Sequence, residues 1–434
     1  MVDKNLFLHD LAVVAVIKDE AHYIKEWLDY HLAAGVDHFY LYDNGSTDET
    51  HSILAPYIKT RLVDYFAVPG SLVQMPVYND AARRFRFICR YMAFIDCDEF
   101  IFPKSDRVIT DIVDEVLADK PQATGLAVNW QVFGSNEQET ADYSKGVLER
   151  FTRRAESDWF EPMTKDTLPI GNIHVKTIAN PRYIRYIVNP HYAYYFDGAF
   201  AVNSNGERVR AWGNEPVLAD KIVVNHYYTK SREEYQSKIN RGRTGVDSEE
   251  RDPVTTDMAA FEKNDRNEVF DDSILAYRKS RAENFTMPKK FVREDFFKTL
   301  ENILLPAARP ETSDDYFVGK IETFLVCRSL AGAMRRSFPD DNRGKFMEEA
   351  ALKAIEHAQR TQVALPEILM LFSALPPILN LPYPVVEDIH KNCLSFARQV
   401  MNDYRKNLRW ERFVDMGNYM DLLAAFGARD QQQS

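Results

Sequence analysis

The stretch Leu11-Ala-Val-Val-Ala-Val-Ile17 constrains this chain more than any other. An unbroken apolar run rich in β-branched side chains has no polar face, so it reads as a strand buried on both sides. In the segment that follows, Ala21–Ala34, residues Ile24, Trp27, Leu28, His31 and Leu32 share one helical stripe. Gly35 then stands where a left-handed residue would end that helix. His38-Phe-Tyr-Leu-Tyr42 is strand-like again and runs into the tight turn Asp43-Asn44-Gly45-Ser46. Ser46 and Glu49 have the spacing of a capping box for a helix over about 47–58. Strand, helix, strand, helix calls for a mostly parallel sheet with right-handed crossovers. The expected fold class is α/β.

Further along, Tyr91–Ile95 is a third strong strand and ends in Asp96-Cys97-Asp98-Glu99. Residues 123–240 are mixed, with strand-like pieces at Gly125–Val132, Tyr183–Val188 and Lys221–Val224, and Ser248–Asp272 reads as an acidic, polar loop. From about residue 292 the texture changes to amphipathic helices broken at Pro306, Pro339, Pro366 and Pro382. One of them, around Phe346–Ala358, keeps an apolar face. The boundary is expected near 285, giving an α/β domain over 1–285 and an all-helical domain over 286–434. A chain of 434 residues that is 45% hydrophobic and 27% charged has ample material for two cores.

Net charge −11 and a pI near 5.5 argue against a general nucleic-acid binder, whose affinity comes from neutralising phosphates. A local basic pocket for one phosphorylated small molecule remains compatible with that balance. Cys89, Cys97, Cys327 and Cys393 form no Cys-x-x-Cys pair, which speaks against a thiolate zinc site or a disulfide framework. The N-terminus lacks a signal-peptide pattern, and no run reaches the ~18 apolar residues of a spanning helix. A reducing, cytoplasmic location is the expectation, with room for work at the inner face of a membrane.

Three places carry chemistry. Asp96-x-Asp98 follows an apolar strand, and ligands of parallel α/β sheets bind beyond the carboxyl ends of strands. Two carboxylates two residues apart in extended chain aim at one spot, which suits a hard divalent cation; a solvated acidic turn would leave the same sequence trace. Asp43 ends another strand on the same edge, where it could accept from a ribose hydroxyl or a pyrimidine N–H, or serve only the turn. His226 closes the strand Val223–His226, and Ser231 with Glu234 repeats the capping-box spacing ahead of a helix with Lys238, Arg241 and Arg243 near its end. A neutral imidazole ligates manganese-like ions and nearby cations neutralise diphosphate; a structural histidine and charges complementing a helix end are the alternatives.

These residues resemble a known family. Val13–Glu20 with Leu41–Thr50 look like the opening of a GT-A glycosyltransferase of the family 2 type, with Asp96-Cys97-Asp98 as its Asp-x-Asp motif. The wider set is more similar to glycosyltransferase family 92. It comprises Lys18-Asp19-Glu20, Glu26-Trp27, Tyr30-His31, Gly35-Val36, Tyr42–Ser46, Asp96-x-Asp98-Glu99-Phe100, Trp130-x-x-Phe133-Gly134-Ser135 and His226-Tyr227-x-x-Lys230-Ser231. The resemblance covers about residues 10–245; one departure is in Lys18-Asp19-Glu20, where Asp19 takes the place of the Asn that such enzymes often carry before the Glu.

The resemblance implies a GT-A fold over the first domain and a UDP-sugar donor, commonly UDP-galactose. It implies Mn²⁺ (or Mg²⁺) held by Asp98 and His226, with Asp96 near the ribose or metal, and inversion at the anomeric carbon. Lys18, Asp19, Glu20, Asp43, Lys230, Lys238 and Arg241 would surround the nucleotide sugar, and Asp80 and Arg83 border it in the family fold. Glu137, Glu149 and Asp158 are candidate bases, and Trp130 and Phe133 a candidate platform for an acceptor sugar. The expected function is an inverting, metal-dependent hexosyltransferase acting on a glycan or lipid-linked glycan in cell-surface polysaccharide synthesis. Competing readings are an Asp-x-Asp phosphatase and a non-catalytic sugar-binding scaffold. The C-terminal helices allow self-association or peripheral membrane contact.

Overall fold

The computed structural model describes residues 9–70, 73–85, 89–120, 122–162, 169–195, 198–241 and 258–286. The helices expected from residue 292 onward, and with them the all-helical domain, lie outside the described residues.

The opening pattern builds what it specifies. Strand β1 (His9–Ile17) is followed by helix α1 (Ile24–Ala33) and β2 (His38–Asp43), which pairs in parallel with β1 so that Ile17 stands beside Asp43. Leu11–Ala15 are fully buried. Gly35 takes φ +102°, and a Cβ there would lie 2.8 Å from Val108 Cβ, so the αL turn and the close approach both require glycine. Helix α2 (Thr50–Lys59) departs from expectation: Glu49 is its N-cap residue without a side-chain bond, and Ser46 Oγ instead accepts from the Asp19 N–H at 2.9 Å. The capping box over Ser46 and Glu49 is therefore not formed, because the loop after β1 takes the serine first.

Strand β3 (Val63–Ala67), too short to stand out in the sequence, extends the sheet beyond β2, and α3 (Gln74–Arg84) leads into β4 (Cys89–Phe94), which lies parallel to β1. After β4 come β5 (Glu99–Pro103), α4 (Ile109–Leu117) and β6 (Ala123–Val132). The ten-stranded sheet runs in the order Arg208–Val209, Phe200–Val202, β6, Val175–Ala179, β4, β1, β2, β3. The strand Ile222–His226 pairs parallel with β6 and antiparallel with β5. The sheet is mixed rather than wholly parallel, since Val175–Ala179 enters between β4 and β6 antiparallel to both. The segment expected as a polar loop up to Asp272 contains a helix at Met258–Asn264 and a short strand at Val269–Phe270.

Helix α1 packs on this sheet through specific polar contacts as well as apolar area. Trp27 Nε1 donates to the Glu99 carbonyl at 2.8 Å, and the Tyr30 hydroxyl donates to the Ile101 carbonyl at 2.9 Å. His31, fully buried, donates from Nδ1 to the Trp27 carbonyl and accepts the Ile101 N–H at Nε2; burial holds its imidazole down at about 3, in the neutral form those two bonds need. The helix thereby fixes β5, and with it the turn that precedes β5. No described helix is long and apolar enough to cross a membrane.

Candidate active site

The carboxyl ends of β1, β2 and β4 and of the strand Ile222–His226 meet the amino end of Val175–Ala179 at one edge of the sheet. At the β4 end, residues 96–99 form a turn closed by the Glu99 N–H on the Asp96 carbonyl at 3.1 Å. Because this is a turn and not extended chain, the two aspartates do not share a target. Asp96 accepts from Gln74 Nε2 at 2.8 Å, the Tyr78 hydroxyl at 3.3 Å and Lys176 Nζ at 2.8 Å. Asp98 turns the other way, 3.5 Å from His226 Nε2 and 2.6 Å from Lys238 Nζ. The main chain locks the pair, with the Tyr227 N–H donating to the Asp98 carbonyl at 2.8 Å.

Electrostatics separate these acids. Burial works to raise the Asp98 carboxyl, but Lys238, then His226 and Lys230, overcome it and hold it well below the usual carboxylate range. Burial depresses His226 against the pull of Asp98. Glu99 is fully buried; its Oε2 accepts the Asp96 N–H at 2.9 Å and meets Lys176 at 3.1 Å, yet burial still pushes it up to about 8. Lys176, itself 1% exposed, is the cation between Asp96 and Glu99. Sequence reasoning missed it; the available signal was a lysine inside the apolar strand Val175-Lys-Thr-Ile-Ala179.

Among the described residues, no group of three or more His, Cys, Asp or Glu side chains is arranged to hold a metal ion. The expectation that Asp96 and Asp98 aim at one spot is thus corrected. Asp98 and His226 do converge, and a carboxylate with one imidazole suits a cation that takes its remaining ligands from diphosphate and water.

The loop after β1 is held from several sides. Asp19 has φ +49°, and its Oδ1 accepts from the Thr47 N–H at 2.7 Å. Arg241 donates to the carbonyls of Lys18 at 2.6 Å and Asp19 at 2.7 Å and to Glu20 Oε1 at 2.7 Å. Lys18–Glu20 and Arg241, 223 residues apart for the first of these bonds, therefore form one unit. Lys230 is buried with φ +51°, its ammonium 4.4 Å from the Tyr23 ring centre. The capping box expected at Ser231 and Glu234 is present: Ser231 Oγ donates to Glu234 Oε2 at 2.6 Å and accepts the Glu234 N–H at 3.3 Å. Arg150, also missed from sequence, adds a buried two-bond pair to Glu234 at 2.7 and 2.8 Å.

Several candidates sit elsewhere. Asp43 is buried, with Oδ1 accepting from the Ser46 N–H and Oδ2 from the Tyr65 hydroxyl, both at 2.7 Å, and so serves the turn. Phe133 is fully buried and packs on Tyr227, so it is core and not an acceptor platform. Trp130 is half-buried with its ring 4.3 Å from that of His226. Residues three apart along an extended chain face opposite sides, which is why only one of these two aromatics reaches the site. Asp80 is buried and accepts from the Tyr42 hydroxyl at 2.8 Å. The side chain of Arg83 and the whole of Arg243 lie outside the described residues.

Of the candidate bases, Glu149 is tied to Arg278 at 2.6 Å, which also holds Glu26 of α1. Glu137 is exposed with φ +61°. Asp158 lies in an exposed turn whose carbonyls at Glu156 and Ser157 accept from Asn172, with Gln131 also donating to Ser157. Beside Trp130 stand His174 and His191, with ring centres at 4.9 and 5.0 Å from the indole. Burial holds the His174 imidazole at about 4 and His191 well below its usual value, so both are neutral at pH 7.

Among known proteins, a glycosyltransferase family 92 protein of Oryza sativa subsp. japonica is 28% identical over 147 residues, covering 34% of this chain and 25% of that protein. Galactan beta-1,4-galactosyltransferase GALS2 of Arabidopsis thaliana is 31% identical over 100 residues, covering 21% of this chain and 19% of that protein. The chain thus spans about a quarter or less of the length of these curated relatives. S. aureus TarS 1-349 in complex with UDP-GlcNAc aligns over 96% of this chain and 91% of its own at 14% identity, with a TM-score of 0.30, too low to define a shared fold. The profile of glycosyltransferase family 92 matches residues 13–261, more than half of the sequence and nearly all of the site just described. The chain belongs to glycosyltransferase family 92.

Proposed function

We propose that this chain is an inverting hexosyltransferase that moves galactose from UDP-galactose to a glycan acceptor, with Mn²⁺ or Mg²⁺ held by Asp98 and His226. The observation that carries the reading is the placement of Asp98, a carboxylate at a strand-end turn, 3.5 Å from the His226 imidazole and 2.6 Å from the Lys238 ammonium, inside the family 92 segment. The mixed α/β sheet with this turn at its edge is compatible with a GT-A arrangement. The galactose assignment draws on relatives named as galactan beta-1,4-galactosyltransferases.

When bound, the cation supplies positive charge to the diphosphate oxygens and makes UDP a better leaving group. The chain's own residues do the rest. Lys238 and Lys230 stand where a diphosphate would find cations, and Arg241 sets the Lys18–Glu20 loop that would face the nucleoside. In the transfer, an acceptor hydroxyl oxygen bonds to the anomeric carbon as the bond from that carbon to the β-phosphate oxygen breaks. The electron pair leaves with UDP, the hydroxyl proton passes to a carboxylate, and the configuration inverts. Asp158 is the base we favour, on an exposed turn whose carbonyls Gln131 of β6 and Asn172 hold.

Family membership sets the phosphatase reading aside. The test is UDP release from a panel of UDP-sugars, with β-1,4-galacto-oligosaccharide as acceptor, with and without a chelator. Release that is greatest with UDP-galactose and abolished by chelator is expected. No release with any UDP-sugar would favour the non-catalytic scaffold, and chelator-insensitive turnover would remove the metal from the mechanism.

A further inference from the structure

The strand order gives the site a direction. β2 and β1 carry the loop expected to face the nucleoside, β4 carries the Asp96–Asp98 turn, and Val175–Ala179 and β6 come next along the same edge. A UDP-hexose lying along that edge, with its diphosphate at Asp98, places its sugar over the ends of these last two strands. Trp130 stands there, half-buried, next to His226.

Two imidazoles complete the surface. His174 immediately precedes its strand, and its carbonyl accepts the Trp130 N–H at 2.9 Å; His191 comes from the turn between the strands Ile184–Ile187 and Ala193–Tyr195. Their ring centres are 4.7 Å apart. His174 Nδ1 faces the Gly171 carbonyl at 3.1 Å, and His191 Nδ1 faces the Val175 carbonyl at 3.2 Å. A carbonyl only accepts, so in each neutral ring Nδ1 carries the proton and Nε2 keeps its lone pair. Among the described residues, no partner engages either Nε2. A half-buried indole beside two fixed acceptors suits a pyranose, which presents an apolar C–H face and a rim of hydroxyl donors.

We propose that Trp130, His174 and His191 form the subsite for the donor's hexose, with the two imidazoles accepting from its hydroxyls and so setting which epimer is transferred. The inference rests on the UDP-sugar reading above and adds the residues that select the sugar. It differs from the sequence expectation, in which Trp130 faced the acceptor.

Calorimetric titration of the full chain with UDP and with UDP-galactose, in the presence of Mn²⁺, tests it. In His174→Phe and in His191→Phe, UDP affinity should stay at the wild-type level while the ratio of UDP-galactose to UDP affinity falls about tenfold, the loss expected for one hydrogen bond to a fixed acceptor. An unchanged ratio in both variants, or equal losses for both ligands, overturns the proposal. The unaltered protein gives a second readout free of any folding effect: in a series of monodeoxy UDP-galactoses, at least one should bind about tenfold more weakly than the parent. If all members bind like the parent, the imidazoles do not read the hexose. Failure of the wild-type chain to bind UDP at all would instead defeat the UDP-sugar reading itself, an outcome distinct from loss of the ratio.

Discussion

Replacing Glu234 by Gln should separate the architecture of the site from its chemistry. The Glu234 and Arg150 side chains are 1% and 3% exposed, and the carboxylate also accepts from Ser231 and from the Tyr23 hydroxyl at 2.9 Å. Burial alone would raise this carboxyl; the Arg150 guanidinium and the Ser231 hydroxyl overcome it and take it from 4.5 down to about 2. A depressed folded-state value means that the unfolded chain binds the proton first. The stabilisation is therefore complete above pH 4.5 and is lost as pH falls toward 2. At about 1.4 kcal/mol per pH unit this contribution is about 3 kcal/mol at neutral pH. The Glu234→Gln protein also leaves Arg150 charged and buried, a cost of about 3–5 kcal/mol by the usual measure of a broken buried pair. At about 2–4 °C per kcal/mol, a loss of about 3–5 kcal/mol should lower thermal unfolding at pH 7 by roughly 6–20 °C, and the gap from wild type should close as pH falls toward 2. Combining Glu234→Leu with Arg150→Met, which removes both charges, should restore most of the loss. Because Glu234 starts the helix that carries Lys238 and Arg241, UDP affinity should fall in the Gln variant as well. A gap of equal size at pH 7 and pH 2.5, or none at either, would refute the assignment of this stability to the ion pair.

Asp98→Asn should fold normally and lose about 10²–10³ in galactose transfer, read as UDP release, and full activity there would remove Asp98 from the chemistry. His226→Ala should weaken the dependence on Mn²⁺; an unaltered Mn²⁺ titration would make the residue structural. Glu99 is held at about 8, above its unfolded 4.5, so its contribution to stability is complete below pH 4.5 and is lost as pH rises through 8. Glu99→Gln should flatten that decline in denaturant titrations between pH 5 and 9, and an identical slope would place the proton elsewhere. A protein ending at residue 286 should still bind UDP-galactose, because the described site lies before that point. If it is folded and does not bind, the remaining residues complete the donor site.

The sequence alone determined the elements whose signal is local. Leu11–Ile17 could bury both faces only inside a sheet, the α1 stripe could cover it from one side, and Gly35 fills the αL position that ends the helix. Position at the sheet edge was legible for Asp96, Asp98 and His226 for the same reason: each follows a recognisable strand, and strands in register bring their ends together. The Ser231–Glu234 box could be read because its two partners lie three residues apart. Where a side chain had a choice of distant partners, local pattern could not decide. Asp96 and Asp98 diverge because one meets Lys176, 80 residues away, and the other Lys238, 140 residues away. Ser46 fits a helix cap yet bonds Asp19, and Phe133 is drawn into the core while Trp130 reaches the site. The antiparallel entry of Val175–Ala179 supplies Lys176 and, just ahead of the strand, His174. Tertiary packing between distant segments fixed these contacts, since a charge or a polar group buried by the fold must take whichever partner the fold sets beside it.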